Sequence, residues 1–321
     1  MELPTTDWTN WDAIDWAALE RLRAGFIAGS AGATDYWRRE SDLASYDLTF
    51  AQRIGWKWDF VFRELQQRGW QPPAGMILDW GCGSGIAGRA FLQYFPGHAV
   101  QLWDRSPFAM RFAAQRLGGN VTTGQQPCPT LLLSHVLTEL SNAQVPALLE
   151  LCRAATTILW VEPGTFTASR RLIAMREQLR DSHQLVAPCV HQQACGMLTE
   201  ANARHWCHFF APSPPEVFTD GNWARFAKVA GVDLRSLPVS YLVLDRRPHP
   251  ELPAGAVRVI GPARFRKGHL LVTGCDAAGV RECRLTKRVL SEQFNQFRKG
   301  EAGTLQLWQR DGDEIVKSQP I

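Results

Sequence analysis

The chain has 321 residues, 45% hydrophobic and 21% charged, a balance that excludes disordered and low-complexity proteins. At roughly 150 residues per domain it is long enough for about two domains, each burying a core without disulfides. The net charge of +4 names no partner, but residues 1–75 hold 8 basic and 11 acidic side chains and residues 241–300 hold 12 and 5, so a basic surface suited to a polyanion, or only to solvent, is expected in the C-terminal part.

No stretch approaches the roughly 18 apolar residues of a membrane span. Met1-Glu2-Leu3-Pro4 opens neither a signal nor a transit peptide, which makes the cytoplasm the expected location. Eight cysteines in that compartment are expected as thiols or metal ligands.

Residues 8–70 read as helical. Trp11, Ile14, Trp16, Leu19 and Leu22 recur at short spacing, a second run covers Phe50 to Leu65, and the small residues Gly29 to Thr34 break the two groups. Many of the thirteen tryptophans fall here, where core packing is expected rather than a base-stacking platform. After Pro72-Pro73-Ala74-Gly75 come strands at 76–80, 99–104, 130–136 and 157–162. Helices at 86–95, 107–117 and 145–155 separate them. This alternation predicts an α/β fold with a parallel sheet and right-handed crossovers. Past about residue 185, Cys, His, Pro and Trp become dense, with β-structure expected at 238–245, 257–260 and 269–274. The chain is therefore divided into a helical segment (1–70), a Rossmann-like nucleoside-binding domain (71–185) and a Cys-rich, partly β, basic part (186–321).

At the first strand, Asp79-x-Gly81-x-Gly83-x-Gly85 runs from strand to helix, where small residues let a ligand approach backbone N–H groups. Gly83-x-Gly85-x-x-Gly88 also matches a dinucleotide fingerprint, with Asp104 placed for a ribose hydroxyl pair, so an NAD-dependent oxidoreductase is one reading. The acid two residues before Gly81 and the long helical segment upstream favour S-adenosylmethionine. Its expected contacts are Asp79, Gly81, Gly83, Gly85, Asp104 and Ser134. Ser134 and His135 end the Leu-rich strand beside the crevice, and a rigid Pro163-Gly164 turn is expected to aim Glu162 into the same crevice. His135 and Glu162 are weak candidates for a catalytic base, against a wall residue and a helix cap.

Cys189, Cys195 and Cys207 fall within nineteen residues of irregular sequence. Metal binding and three buried free thiols are about equally well supported by spacing alone, with Cys275, Cys283, His191 or His208 as a fourth ligand. The close C-x₂₋₄-C pair usual for zinc is absent, whereas iron–sulfur clusters accept varied spacings.

Taken together, Leu78-Asp79-x-Gly-x-Gly-x-Gly, Ser134-His135-Val136-Leu137-Thr138-Glu139-Leu140, Val161-Glu162-Pro163-Gly164-Thr165, Ala187-Pro188-Cys189-x-His191, Trp206-Cys207-His208-Phe209 and Arg266-Lys267-Gly268-His269 resemble the Rsm22 family, from about residue 36 to 300. The family comprises methyltransferase-like proteins of the mitochondrial small ribosomal subunit and bacterial relatives. The resemblance implies a class I methyltransferase fold, association with the small subunit and its rRNA during assembly, and a four-cysteine iron–sulfur (4Fe-4S) site, with zinc as the alternative. Carried over by position, its ligands are Cys189, Cys195, Cys207 and Cys275. The expected protein is a monomeric assembly factor. Its phosphate contacts would be Arg264, Arg266, Lys267, Arg284, Lys287 and Arg288, with Arg298 and Lys299 beyond them. The alternative to methyl transfer is a non-catalytic RNA-binding factor with a vestigial nucleotide site.

Overall fold

The computed structural model describes residues 11–28 and 37–321, so the Gly29–Thr34 break lies outside the described residues. In chain order the elements are α1 (Trp16–Ile27), α2 (Glu40–Asp47), α3 (Phe50–Gln67), β1 (Ile77–Trp80), α4 (Ile86–Tyr94), β2 (Val100–Trp103), α5 (Pro107–Leu117), β3 (Val121–Thr123), β4 (Thr130–Ser134), α6 (Val145–Ala154) and β5 (Thr157–Pro163). They continue with α7 (Phe166–Leu179), β6 (Gln184–Ala187), β7 (Phe209–Phe210), α8 (Gly221–Ala230), β8 (Pro238–Asp245), β9 (Ala256–Val259), β10 (Arg264–Arg266), β11 (His269–Asp276), β12 (Gly279–Thr286), α9 (Ser291–Lys299), β13 (Leu305–Asp311) and β14 (Glu314–Pro320). No helix among the described residues is long and apolar enough to cross a membrane.

Two compact units form, one from residues 1–162 with 211–237 and the other from residues 163–210 with 238–321. In the first, five parallel strands lie in the order β3-β2-β1-β4-β5. The Ile77-Leu78-Asp79 and Thr130-Leu131-Leu132-Leu133 runs are buried throughout, as parallel strands covered on both faces require. The order reverses between β1 and β4, and a Rossmann-like sheet opens its ligand crevice at the carboxyl ends of those strands. The short, exposed Val121-Thr122-Thr123 carries no apolar pattern, so β3 is not legible in the sequence.

Helix α3 buries one face, with Trp58, Val61, Phe62 and Leu65 fully covered. Trp58 stacks on Phe62 at 5.2 Å, and Phe62 meets Phe91 of α4 edge-on at 5.8 Å. The segment 211–237 belongs here and not with the rest of 186–321. Trp11 donates its indole N–H to Asp220 and packs edge-on against Trp223, Phe50 meets Phe226 at 5.0 Å, and Arg23 donates to the Ala230 carbonyl. The tryptophans of this region are thus packing groups, as expected. The carboxylate of Asp47, 1% exposed, receives the guanidinium groups of Arg89 on α4 and Arg116 on α5.

In the second unit, β8 is flanked by antiparallel β6 and β7. Strands β9, β11, β12, β14 and β13 close into a ring, because β9 pairs with both β11 and β13, and β10 extends the sheet beyond β11. Val257, Val259, Leu270, Val272, Leu285, Phe294 and Trp308 fill its interior. A Cβ on Gly274 would stand 2.5 Å from the Trp308 ring, so the ring closes only because this residue has no side chain. Of this barrel, the sequence pattern shows only β9 and β11.

Replacing Asp47 with Ala leaves the mostly buried Arg89 without its counter-charge. A loss of about 3 kcal/mol is expected, read as a lower urea midpoint at unchanged slope.

Candidate functional site

A cavity of about 750 Å³ opens over the carboxyl ends of β1, β2 and β4 in the first unit, lined by Gly81, Gly83, Trp103, Asp104, Ser134 and His135 among others. The glycine turn is held by two carboxylates. Asp79, fully buried, accepts from the Gly88 N–H at 3.0 Å, fixing the start of α4. Asp104 accepts from Gly83 N–H through one oxygen and Ser106 N–H through the other, both at 2.9 Å. Gly81, at φ +73°, could not take a Cβ, which would meet Val136 at 2.5 Å. Gly83, at φ +52°, has open space where its Cβ would be. The turn therefore bares backbone to the cavity at Gly83 and packs tightly elsewhere.

Gly81, Gly83, Asp104 and Ser134 line the cavity, whereas Asp79 and Gly85 do not. Asp79 acts behind the turn. Burial pushes its carboxyl up to about 7, partly offset by the Gly88 N–H, and its second oxygen has no hydrogen-bond partner. A Cβ on Gly85 would stand 2.9 Å from Ala113, so that glycine serves the packing of α4 against α5. Ser134 accepts the Trp58 indole N–H at 3.0 Å.

His135 reaches the cavity in a left-handed conformation (φ 57°), its own N–H donating to the Val161 carbonyl. Its Nε2 stands 3.3 Å from Nζ of Lys57, a buried lysine of α3. Burial lowers the His135 imidazole well below its ordinary range, and the Lys57 charge adds to this. Burial likewise brings Lys57 down to about 7. Glu162 is elsewhere. It is fully buried, does not line the cavity, and accepts from Leu137 N–H at 2.9 Å and the Trp160 indole at 2.8 Å. The expectation that Pro163-Gly164 aims Glu162 into the crevice is corrected, because those two donors hold its carboxylate inside the first unit. The spacing of motifs also missed Trp80 and Trp103, which stack at 4.7 Å and line the cavity. Their signal is an indole at the end of each of two neighbouring strands. Lys57 left no signal beyond a basic residue in an apolar helix face.

The cysteines lie in the second unit. Cys195, Cys207 and Cys275 pack on Ile173, Met197 and Ile260, although they come from three separate stretches of chain. Burial, then the charges of Cys189, Cys195 and Cys275, push the Cys207 thiol far up, so all four sulfurs share one field. Cys189 accepts from Nε of the buried Arg176 at 3.3 Å, and Cys275 stands 3.5 Å from Nε2 of His191. The Cys207 carbonyl is fixed by the hydroxyls of Ser169 and Ser240. Among the described residues no group of three or more His, Cys, Asp or Glu is arranged to hold a metal ion. Cys283 is buried in the barrel and takes no part.

Of the expected phosphate contacts, Arg264 and Arg266 lie on β10, Lys267 in the following turn, Arg284 on β12, and Lys287 and Arg288 just after it. Arg264 is paired with Glu282, and Arg284 with Glu314 at 3.2 Å.

The strand order, the switch point and the glycine turn define the first unit as a Rossmann-like α/β domain. The profile of the family described as mitochondrial small ribosomal subunit Rsm22 matches residues 109–307, well over half of the chain, and the chain belongs to that family. No curated protein matches. Similar solved structures include a putative RNA methyltransferase from Pyrococcus horikoshii (9% identity, TM-score 0.38, covering 59% of this chain and 81% of that one). The plantazolicin methyltransferase BamL, with SAH, gives 11% and 0.41 over 72% and 99%. Magnesium protoporphyrin IX methyltransferase from Synechocystis, with SAM, gives 12% and 0.38 over 72% and 97%. Likeness this distant adds nothing to the strand order.

The folded protein keeps a proton on Glu162 up to about pH 7, whereas the unfolded chain releases it near 4.5. Stability is therefore lost as pH rises between those values. Glu162→Gln, which retains an acceptor for Leu137 and Trp160, should gain on the wild type by about 3 kcal/mol between pH 4.5 and 7.5, measured by urea unfolding at each pH.

Proposed function

We propose that this chain is a cytoplasmic, monomeric small-subunit assembly factor that binds S-adenosylmethionine in the first unit, and rRNA and a 4Fe-4S cluster in the second. The observation that carries the nucleoside reading is the bared Gly83 backbone beside Asp104. A carboxylate fixed at the cavity rim by two backbone N–H groups is placed to meet a ribose diol, and the open space over Gly83 lets a ligand approach the backbone there. S-adenosylmethionine, when bound, supplies an electrophilic methyl group. Gly81, Gly83, Asp104 and Ser134 would hold the molecule, and Asp79 would keep the turn in shape from behind.

The quartet Cys189, Cys195, Cys207 and Cys275 fits a thiolate-ligated cluster by its donors. Three of the sulfurs share one apolar nucleus, the charge of Cys189 acts on Cys207 with them, and the Arg176 guanidinium faces Cys189. Such a centre would brace an irregular segment that has no core of its own. Arg264, Arg266, Lys267, Arg284, Lys287 and Arg288 supply the positive field for RNA backbone.

A second reading, methyl transfer to RNA, is favoured by His135. Its imidazole faces the cavity from a left-handed backbone conformation, where it could meet a substrate proton, although burial leaves it a weaker base than a free histidine. Glu162, sealed from the cavity, does not serve as that base.

Calorimetry should give a clear S-adenosylmethionine isotherm, weakened about ten- to a hundredfold in Asp104→Ala. No heat with the wild type would leave a vestigial crevice. Anaerobically purified protein should show iron, sulfide and broad visible absorbance, all lost in a Cys189→Ser, Cys207→Ser double variant. Colourless wild type carrying stoichiometric zinc, or no metal, would overturn the cluster. Labelled methyl appearing in small-subunit RNA, and lost in His135→Ala at unchanged S-adenosylmethionine affinity, would establish catalysis.

A further inference from the structure

In chain order the ring strands of the second unit are β9, β11, β12, β13 and β14, and they close in the sequence first-second-third-fifth-fourth-first. Neighbours are antiparallel except the third and fifth, β12 and β14, which are parallel at Arg284 and Glu314. Helix α9 spans the gap between third and fourth, with Phe294 and Phe297 in the barrel core. This is the topology of an OB barrel, a fold that meets oligonucleotides or oligosaccharides on its second and third strands and on the loop joining the first two. Topology alone does not fix a ligand, so the site itself must.

The loop between the first two strands, residues 260–268, folds back as β10 and pairs with β11, Arg266 opposite His269. His269 in turn lies opposite Thr286, the last residue of β12. Arg266, Lys267, Lys287 and Arg288 therefore gather at one end of the barrel. Between residues 264 and 288 there are seven basic and two acidic side chains, which suits a polyanion and not a neutral sugar. Further along the outer face, Arg264 and Arg284 are neutralised by Glu282 and Glu314, so the positive field is concentrated at that end. Between Arg264 and Arg266 in sequence, and on the other face of β10 from them, Phe265 is 60% exposed, its ring set edge-on against the buried Phe294 at 6.4 Å. A large aromatic face oriented from below and left open in a basic loop is the arrangement on which an unstacked base can lie.

We propose that this end of the barrel binds unpaired RNA, one base stacking on Phe265 and the backbone passing Arg266, Lys267, Lys287 and Arg288. The proposal rests on the RNA reading above and adds the strand state that is recognised and the residue that recognises it. The cysteine site is remote from it: Cys275 is six residues along β11 from His269, about 20 Å in an extended strand.

The test is fluorescence anisotropy of the full chain with a labelled twelve-nucleotide oligouridylate, with a duplex RNA of equal length, and with small-subunit rRNA. The wild type should prefer the single strand at least about tenfold. Phe265→Ala should weaken single-strand binding about five- to a hundredfold, leaving duplex binding and S-adenosylmethionine affinity unchanged. Arg266→Gln with Lys267→Gln should weaken both RNAs and flatten the salt dependence for the single strand by about 0.7 per charge removed. Equal affinity for duplex and single strand, or a Phe265→Ala variant that binds like wild type, would overturn the proposal while leaving the general RNA reading intact. A wild type that binds none of the three RNAs would overturn both.

Discussion

The first unit depends on how two carboxylates, at the ends of neighbouring strands, grip one glycine turn by its backbone. Asp79 holds the Gly88 N–H from within the core, and Asp104 holds the Gly83 N–H from the rim. A turn with left-handed residues at Gly81, Gly83 and Gly85 has many other conformations open to it, and its entropy would otherwise favour them. The two bonds select one, and in it Gly83 borders a cavity with nothing packed over it. The cost is visible at Asp79, whose buried carboxyl is driven towards neutrality while one oxygen goes without a partner. That state is tolerable because the single bond it does make sets the first turn of α4.

The same economy of backbone contacts recurs in the second unit. Arg258, 1% exposed, donates to the Pro188 carbonyl beside Cys189 and to the Thr304 hydroxyl, and it lies opposite Cys275 in the sheet. Arg176 reaches both the Cys189 sulfur and the Gln193 carbonyl. Two buried guanidinium groups thus pin the irregular cysteine stretch from opposite sides, each using the several donors of its fork.

How much of this the sequence disclosed follows from the range of each interaction. The parallel strands and the helices between them were legible because apolar runs and glycine punctuation are local, and α5 falls where the pattern puts it. The placement of Asp104 and Gly83 beside the cavity was legible for the same reason. Glu162 was misplaced because its fate is decided by Leu137 and Trp160, contacts that no spacing rule encodes. Lys57 and His135 are 78 residues apart, and only the fold brings them together. The barrel was half hidden: β12 to β14 mix charged and polar residues among few apolar ones, and the ring closes through Gly274, whose meaning depends on where Trp308 ends up. The membership of residues 211–237 was hidden too, since Trp223 and Phe226 look alike whichever unit receives them.

That last feature bears on how the protein is made. Residues 211–237 supply Asp220, Trp223 and Phe226 to a core begun by Trp11 and Phe50, so the first unit stays incomplete until its own distant tail has emerged during synthesis. By then Cys189, Cys195 and Cys207 are already outside, on a loop whose two ends are tethered to the same finished body. Cys275 arrives last, after every residue of the first unit has been made.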